Sequence, residues 1–69
     1  MSTNELRQAV FDENEAAFSM SGRSYLLYGW EQCDGYVLSL EKDGELVWQT
    51  MPKTKKECIE EFMEYYPKL

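Results

Sequence analysis

The sequence contains no histidine, and only two of its 69 residues are cysteine. Without histidine the chain lacks the side chain that most often transfers protons or binds metals near neutral pH. Cys33 and Cys58 form neither a C-x-x-C motif nor the disulfide framework of a small secreted protein, so we expect both to be reduced. Phosphate-binding, zinc-protease and serine-hydrolase motifs are also missing. These absences predict a non-enzymatic protein with no cofactor and no metal.

Positive charge and long apolar runs are equally scarce. Residues 1–5 show neither the basic nor the apolar part of a signal peptide, and the longest apolar patch, residues 25–30, is far shorter than a membrane span. Seven basic residues stand against thirteen acidic ones, which gives a net charge of −6. Such a surface repels anionic lipids and nucleic-acid phosphates. We therefore expect a cytoplasmic protein that binds neither membranes nor nucleic acid directly.

The pattern along the chain predicts one small α+β domain over residues 1–69. Ser2 with Glu5, and Thr54 with Glu57, have the spacing of capping boxes. They predict a helix over about 3–13, fraying toward residue 17, and a second helix from about 54 to 66, where Pro67 stops it. Between the helices, aromatic-rich runs and Asp-Gly turns predict antiparallel strands at about 24–31, 35–42 and 45–51, with a shorter fourth at 17–21. The expected order is α-β-β-β-α, with a three- or four-stranded sheet covered on one face by both helices.

Strict alternation along the strands assigns their faces. It places Tyr36, Leu38 and Leu40 together on one face of the sheet. Past the next turn it places Leu46 and Trp48 on one face, and Val47 and Gln49 on the other.

Four glutamates follow the second helix at helical spacing: Glu57, Glu60, Glu61 and Glu64. The plain interpretation is a solvated helix face. However, like charges at this spacing cost a few tenths of a kcal/mol per pair, and only Lys56 and Lys68 are spaced to offset them along the helix. A surface of one sign also steers a basic partner toward it. We therefore predict that these glutamates bind a basic protein.

Other residues could extend this acidic surface. Asp34, Asp43 and Glu45 lie near the predicted turns, without the spacing of an EF-hand calcium loop. Tyr65, next to the glutamates, is a candidate aromatic anchor, because tyrosine is enriched at binding hot spots. The basic run Lys53, Lys55 and Lys56 is most simply a contribution to solubility.

In size, charge and layout the chain resembles the small acidic inhibitors of phages and mobile elements, especially anti-CRISPR proteins that mimic DNA. The residues that carry the resemblance are the four helix glutamates with Asp34, Asp43 and Glu45. No sequence motif is shared. The resemblance implies a monomer or homodimer that occupies the basic channel of a Cas subunit and excludes DNA or RNA.

Two alternatives remain open from the sequence. The chain could be a structural or adaptor module that docks through exposed aromatics such as Trp30, with a face carrying Tyr25 and Leu27 beside Val37 or Val47 as a homodimer seam. It could instead be a redox-responsive regulator that uses Cys33 and Cys58.

Overall fold

Both helices begin at the capping boxes that the sequence predicts. In a computed structural model, which describes residues 2–69, the Ser2 and Thr54 hydroxyls accept from the backbone N–H of Glu5 and Glu57, and each glutamate side chain accepts from the backbone of its cap. The elements run in the order α1 (Thr3–Glu13), β1 (Glu15–Met20), β2 (Arg23–Gln32), β3 (Gly35–Lys42), β4 (Glu45–Gln49) and α2 (Lys55–Tyr65), followed by a short 3-10 helix (Tyr66–Lys68). The predicted α+β class and element order are confirmed, with four strands.

The four strands form one antiparallel meander in the order β1-β2-β3-β4. The first strand is longer than predicted and starts at Glu15, because Asn14 adopts a left-handed conformation (φ 62°) and ends α1 there. The predicted fraying of α1 toward Ala17 is therefore wrong, since Ala17 pairs with Leu26 in the sheet. Near the C-terminus, α2 ends at Tyr65, and Pro67 lies in the 3-10 helix that follows it.

Both helices pack on the same face of the sheet, α1 mainly against β1 and α2 against β3. The core between these layers contains Leu6, Val10, Phe18, Leu27, Leu38, Leu40, Ile59 and Phe62. Tyr36, Leu38 and Leu40 lie on this face as predicted, and Trp48 packs partly buried against Phe62. The helices thus leave the other face of the sheet uncovered.

A bulge in β4 overturns the predicted faces of that strand. Leu40 pairs with Trp48 while Glu41 pairs with Leu46, so Val47 is an extra residue between two neighbouring pairs. Leu46 and Trp48 therefore lie on opposite faces, although strict alternation puts them together. The strand also ends at Gln49 rather than 51, and Lys53 makes an isolated bridge to Tyr36.

The uncovered side of the sheet, which we call the open face, follows from the strand register. It carries Glu15, Ala17, Leu26, Tyr28, Trp30, Val37, Ser39, Glu41, Leu46 and Gln49. The prediction that Tyr25 and Leu27 lie in an exposed seam is wrong. They lie under the helices and are only 7% and 0% exposed.

Candidate protein-binding surfaces

Glu57, the first of the four helix glutamates, belongs to the N-terminal cap of its own helix. Its Oε1 accepts hydrogen bonds from the backbone N–H and the hydroxyl of Thr54, at 3.2 and 2.9 Å. These bonds favour the ionised form and hold the pKa of Glu57 below its usual range. The Glu57 carboxylate is exposed, but it is engaged in the cap.

Glu60 and Glu61 have cationic partners inside the chain. Glu60 forms an ion pair with Arg7 of α1, and Glu61 forms one with Lys53. The hydrogen bond that Lys53 donates to Glu61 raises the pKa of Lys53 above its usual range. Both pairs are at least partly exposed, so each contributes little to stability and can be exchanged for a partner's cation. Glu64, by contrast, is exposed and takes part in no ion pair among residues 2–69.

The turn acids are divided between the two ends of the sheet. Asp34 lies in the β2–β3 turn, whereas Asp43 and Glu45 flank the β3–β4 turn at the far end of β3. Asp34 shares a shallow hollow of about 500 Å³ with Glu57, and this hollow also contains Lys53 and Lys55. Asp43 pairs with Arg23 instead. The seven acids predicted from the sequence therefore do not form one continuous patch.

Tyr65 is a half-buried packing residue with one accessible side. Its ring stacks on Trp48, with centroids 5.4 Å apart and planes 15° apart. It also lines a hollow with Tyr25, Lys42, Val47, Lys68 and Leu69. The charged residues in this hollow, Lys42 and Lys68, are both cations. They repel a basic partner, so Tyr65 is less well placed to be its aromatic anchor.

The basic run Lys53, Lys55 and Lys56 is more than a contribution to solubility. Besides the Lys53–Glu61 pair, Lys55 Nζ donates to the backbone carbonyl of Phe11, near the end of α1, at 2.6 Å. The same ammonium lies over the Phe11 and Tyr36 rings, 5.3 and 5.4 Å from their centroids. Because α1 has no basic residue in its own last turn, Lys55 supplies the positive charge that the helix dipole favours there.

The open face holds an aromatic pair, of which only Trp30 was predicted from the sequence as an exposed docking residue. The rings of Tyr28 and Trp30 stack with centroids 5.8 Å apart and planes 22° apart. Tyr28 donates its hydroxyl proton to Glu41 Oε2 at 2.8 Å, which raises the pKa of Tyr28 and keeps it a donor. On this face, Leu26, Trp30 and Leu46 are 36%, 38% and 52% exposed. The signal in the sequence was the spacing of Tyr28 and Trp30, two residues apart on one strand.

The two cysteines occupy different environments. Cys33 lies exposed in the β2–β3 turn, and Cys58 is buried in α2. The Cys58 thiol donates to the Tyr36 carbonyl oxygen at 3.1 Å and contacts the Thr50 hydroxyl at 3.4 Å. This is the environment of a structural thiol rather than of an accessible redox sensor.

Residues 2–69 contain no group of three or more histidine, cysteine, aspartate or glutamate side chains placed to hold a metal. Within the same range, the helices are too short and too polar to cross a bilayer. Comparisons with protein-family models, curated proteins and solved structures find no match to this chain.

Proposed function

We propose that the protein is a non-enzymatic, cytoplasmic inhibitor that binds a basic nucleic-acid-binding protein, such as a Cas subunit, and competes with its DNA or RNA. The observation that carries the proposal is the excess of carboxylates left free of ion pairs. Of thirteen acids, three are in ion pairs among residues 2–69, and the surface keeps a strong negative field. A partner whose own ligand is a polyanion is electrostatically complementary to this field.

The candidate contacts differ in how available they are. Glu64 and Asp34 need no rearrangement to meet a partner's cation, whereas Glu60 and Glu61 exchange Arg7 and Lys53 for it. Because the exchanged pairs lie at the surface, the cost is small, about 0–1 kcal/mol each. Asp43 and Glu45, at the other end of the sheet, would belong to a second contact or to none.

The test is capture of partners from the native host lysate at 50 and 500 mM salt, followed by competition with nucleic acid. We expect a captured protein that binds DNA or RNA, is displaced by about one equivalent of that nucleic acid, and is captured much less at high salt. A captured protein that binds this chain and its nucleic acid at the same time would contradict the proposal.

A matched pair of variants locates the contact. Glu61→Gln with Glu64→Lys changes the charge of α2 by three units, and Asp12→Asn with Glu13→Lys makes the same change at the end of α1. We expect the α2 variant to bind the captured partner at least tenfold more weakly, and the α1 variant to remain within about threefold. Equal losses would show that only net charge matters.

The adaptor hypothesis is the second candidate, because the helices leave the open face uncovered with Trp30 and Leu46 in solvent. A partner held by apolar contacts alone would be captured equally at both salt concentrations. Its binding would be lost in Leu46→Gln and kept in the α2 variant.

A further inference from the structure

A pair of aromatic rings on the open face lies between two carboxylates. We propose that Tyr28 and Trp30, with Glu41 at one end and Asp34 at the other, bind an arginine side chain of the protein's basic partner. The inference rests on the proposed function and deepens it, because it names a partner side chain and adds a contact on the sheet to the one proposed on α2.

Hydrogen bonds at each end of the aromatic pair link the two rings to the two carboxylates. Tyr28 donates to Glu41 at 2.8 Å. At the other end, in the amide orientation that satisfies both neighbours, Gln32 accepts from Trp30 Nε1 at 3.0 Å and donates to Asp34 Oδ1 at 3.3 Å. Both rings are therefore held by hydrogen bonds to their polar atoms while Trp30 stays 38% exposed. A ring fixed before binding loses little conformational entropy when a partner arrives.

Arginine is the side chain whose chemistry this arrangement fits best. Its guanidinium is planar and weakly hydrated, so it stacks on an indole face and still donates to a carboxylate at its edge. Indole is also the strongest aromatic partner for a cation. The lysine ammonium is a compact, strongly hydrated charge that cannot use a ring face and a carboxylate in the same planar way.

Charge on the open face favours a cationic partner over a second copy of this chain. Its strand positions include two carboxylates, Glu15 and Glu41, and no lysine or arginine. A face-to-face dimer would bring four carboxylates together on two chains that each carry −6. An arginine-bearing surface neutralises the same groups.

One hydroxyl, that of Ser39, is buried under the open face. Ser39 pairs directly with Tyr28 across the strands and is 1% exposed. Its Oγ has no hydrogen-bond partner within residues 2–69. Buried polar atoms are nearly always paired, so this hydroxyl is an exception, and at 1% exposure it is not itself a contact for a partner.

The test uses two ten-residue peptides of equal charge, one alternating arginine with glycine and the other lysine with glycine. Binding to the full chain is followed by the indole N–H signals in ¹H–¹⁵N spectra, assigned with a Trp48→Phe variant, and by anisotropy of labelled peptide at low salt. We expect the arginine peptide to shift the Trp30 signal and to bind about three- to thirtyfold more tightly than the lysine peptide.

Three variants test the site itself. Trp30→Val, which keeps a residue suited to a strand, should weaken the arginine peptide about tenfold. Glu41→Gln should weaken it about three- to fivefold. Glu13→Gln removes the same single charge from an exposed position on α1 and should change affinity by less than twofold. Circular dichroism of each variant is the control for folding.

Three outcomes would overturn the site. The first is equal binding of both peptides, and the second is equal loss in Glu41→Gln and Glu13→Gln. The third is a dimer of the free protein at neutral pH that Trp30→Val dissociates, since the occupant is then a second copy. If the peptide results hold but no nucleic-acid-binding protein is captured from lysate, the arginine site stands and the proposed function fails.

Discussion

Gly29 and Tyr36 show how strictly a single position can be fixed in this sheet. The Tyr36 ring lies across Gly29, and its hydroxyl donates to Asn14 Oδ1 at 2.9 Å. A Cβ added at Gly29 would come within 2.1 Å of Tyr36 Oη and 2.6 Å of Cε1. The absence of a side chain at Gly29 is therefore what allows the ring to reach the end of α1.

Gly29→Ala should lower the free energy of unfolding by about 1–3 kcal/mol, because the ring must move or the strand must shift. Urea denaturation measures the change. Ser24→Ala, at an exposed position on the same strand, is the control and should stay within about 0.5 kcal/mol. Equal effects at both positions would mean that the Tyr36 ring moves away easily.

Glu60 and Glu64 differ in surroundings although the sequence treats them alike. Glu60→Lys puts a second cation beside Arg7, whereas Glu64 takes part in no ion pair among the described residues 2–69. We expect Glu60→Lys to lower the free energy of unfolding by up to about 1 kcal/mol, and Glu64→Lys by less than half of that. Thermal denaturation of the two single variants at low salt measures the difference, which should shrink as salt is added.

At the residue scale, the sequence indicates which side chains are charged but not what they face. Lys56 and Lys68 are spaced to pair with Glu60 and Glu64 along the helix, yet Glu60 pairs with Arg7, which is 53 residues away. Helical spacing describes neighbours on one element only. The packing of α1 against α2 decides this contact, and no local pattern in the sequence encodes it.

At the scale of elements, the two capping boxes link helix stability to pH. The pKa of Glu57 is lowered by its bonds to Thr54, and the pKa of Glu5 is lowered by its bonds to Ser2. A folded-state pKa below the unfolded value stabilises the fold above the unfolded pKa, about 4.5. That contribution is lost as the pH falls from about 4.5 through the lowered values.

Thr54→Ala should lower the free energy of unfolding at pH 7 by about 1 kcal/mol, because it removes the hydroxyl that caps α2. The variant should also lose less stability than the wild type between pH 5 and pH 3, since the Glu57 bonds are already weakened. Urea titrations across this pH range measure both effects. Parallel pH curves for variant and wild type would show that the Glu57 bond contributes nothing.

Elements whose signals are local were predictable, and the bulge in β4 was not. Caps, Asp-Gly turns and aromatic runs each act within a few residues, so α1, β3 and α2 were located closely. Val47 is inserted without a glycine or a change in polarity to mark it. A strictly alternating pattern then assigns Leu46 to the wrong face, so the residues of the open face could not all be identified from the sequence alone.

At the scale of the molecule, net charge and the open face act against each other. At neutral pH the charge of −6 keeps copies apart, whereas near the isoelectric point of about 4.4 that repulsion vanishes. We expect light scattering to detect self-association near pH 4.4 and a monomer at pH 7.

Leu46→Gln should reduce this association, because Leu46 lies on the open face and is 52% exposed. Phe11→Gln is the matched control, since Phe11 is 54% exposed but lies on α1, away from that face. If the Phe11 variant suppresses association equally, the contact does not involve the open face.

The meander also separates early from late steps of folding. Each strand pairs with the strand next to it in the chain, so the sheet closes only short loops. The contacts of Arg7 with Glu60 and of Lys55 with the Phe11 carbonyl close loops of 53 and 44 residues. Long loops are entropically the most costly to close, so the two helices should dock against each other last. Arg7→Met should then speed unfolding and leave the refolding rate nearly unchanged in stopped-flow experiments. The pairing of the helices would thus set how long the native state lasts rather than how quickly it is reached.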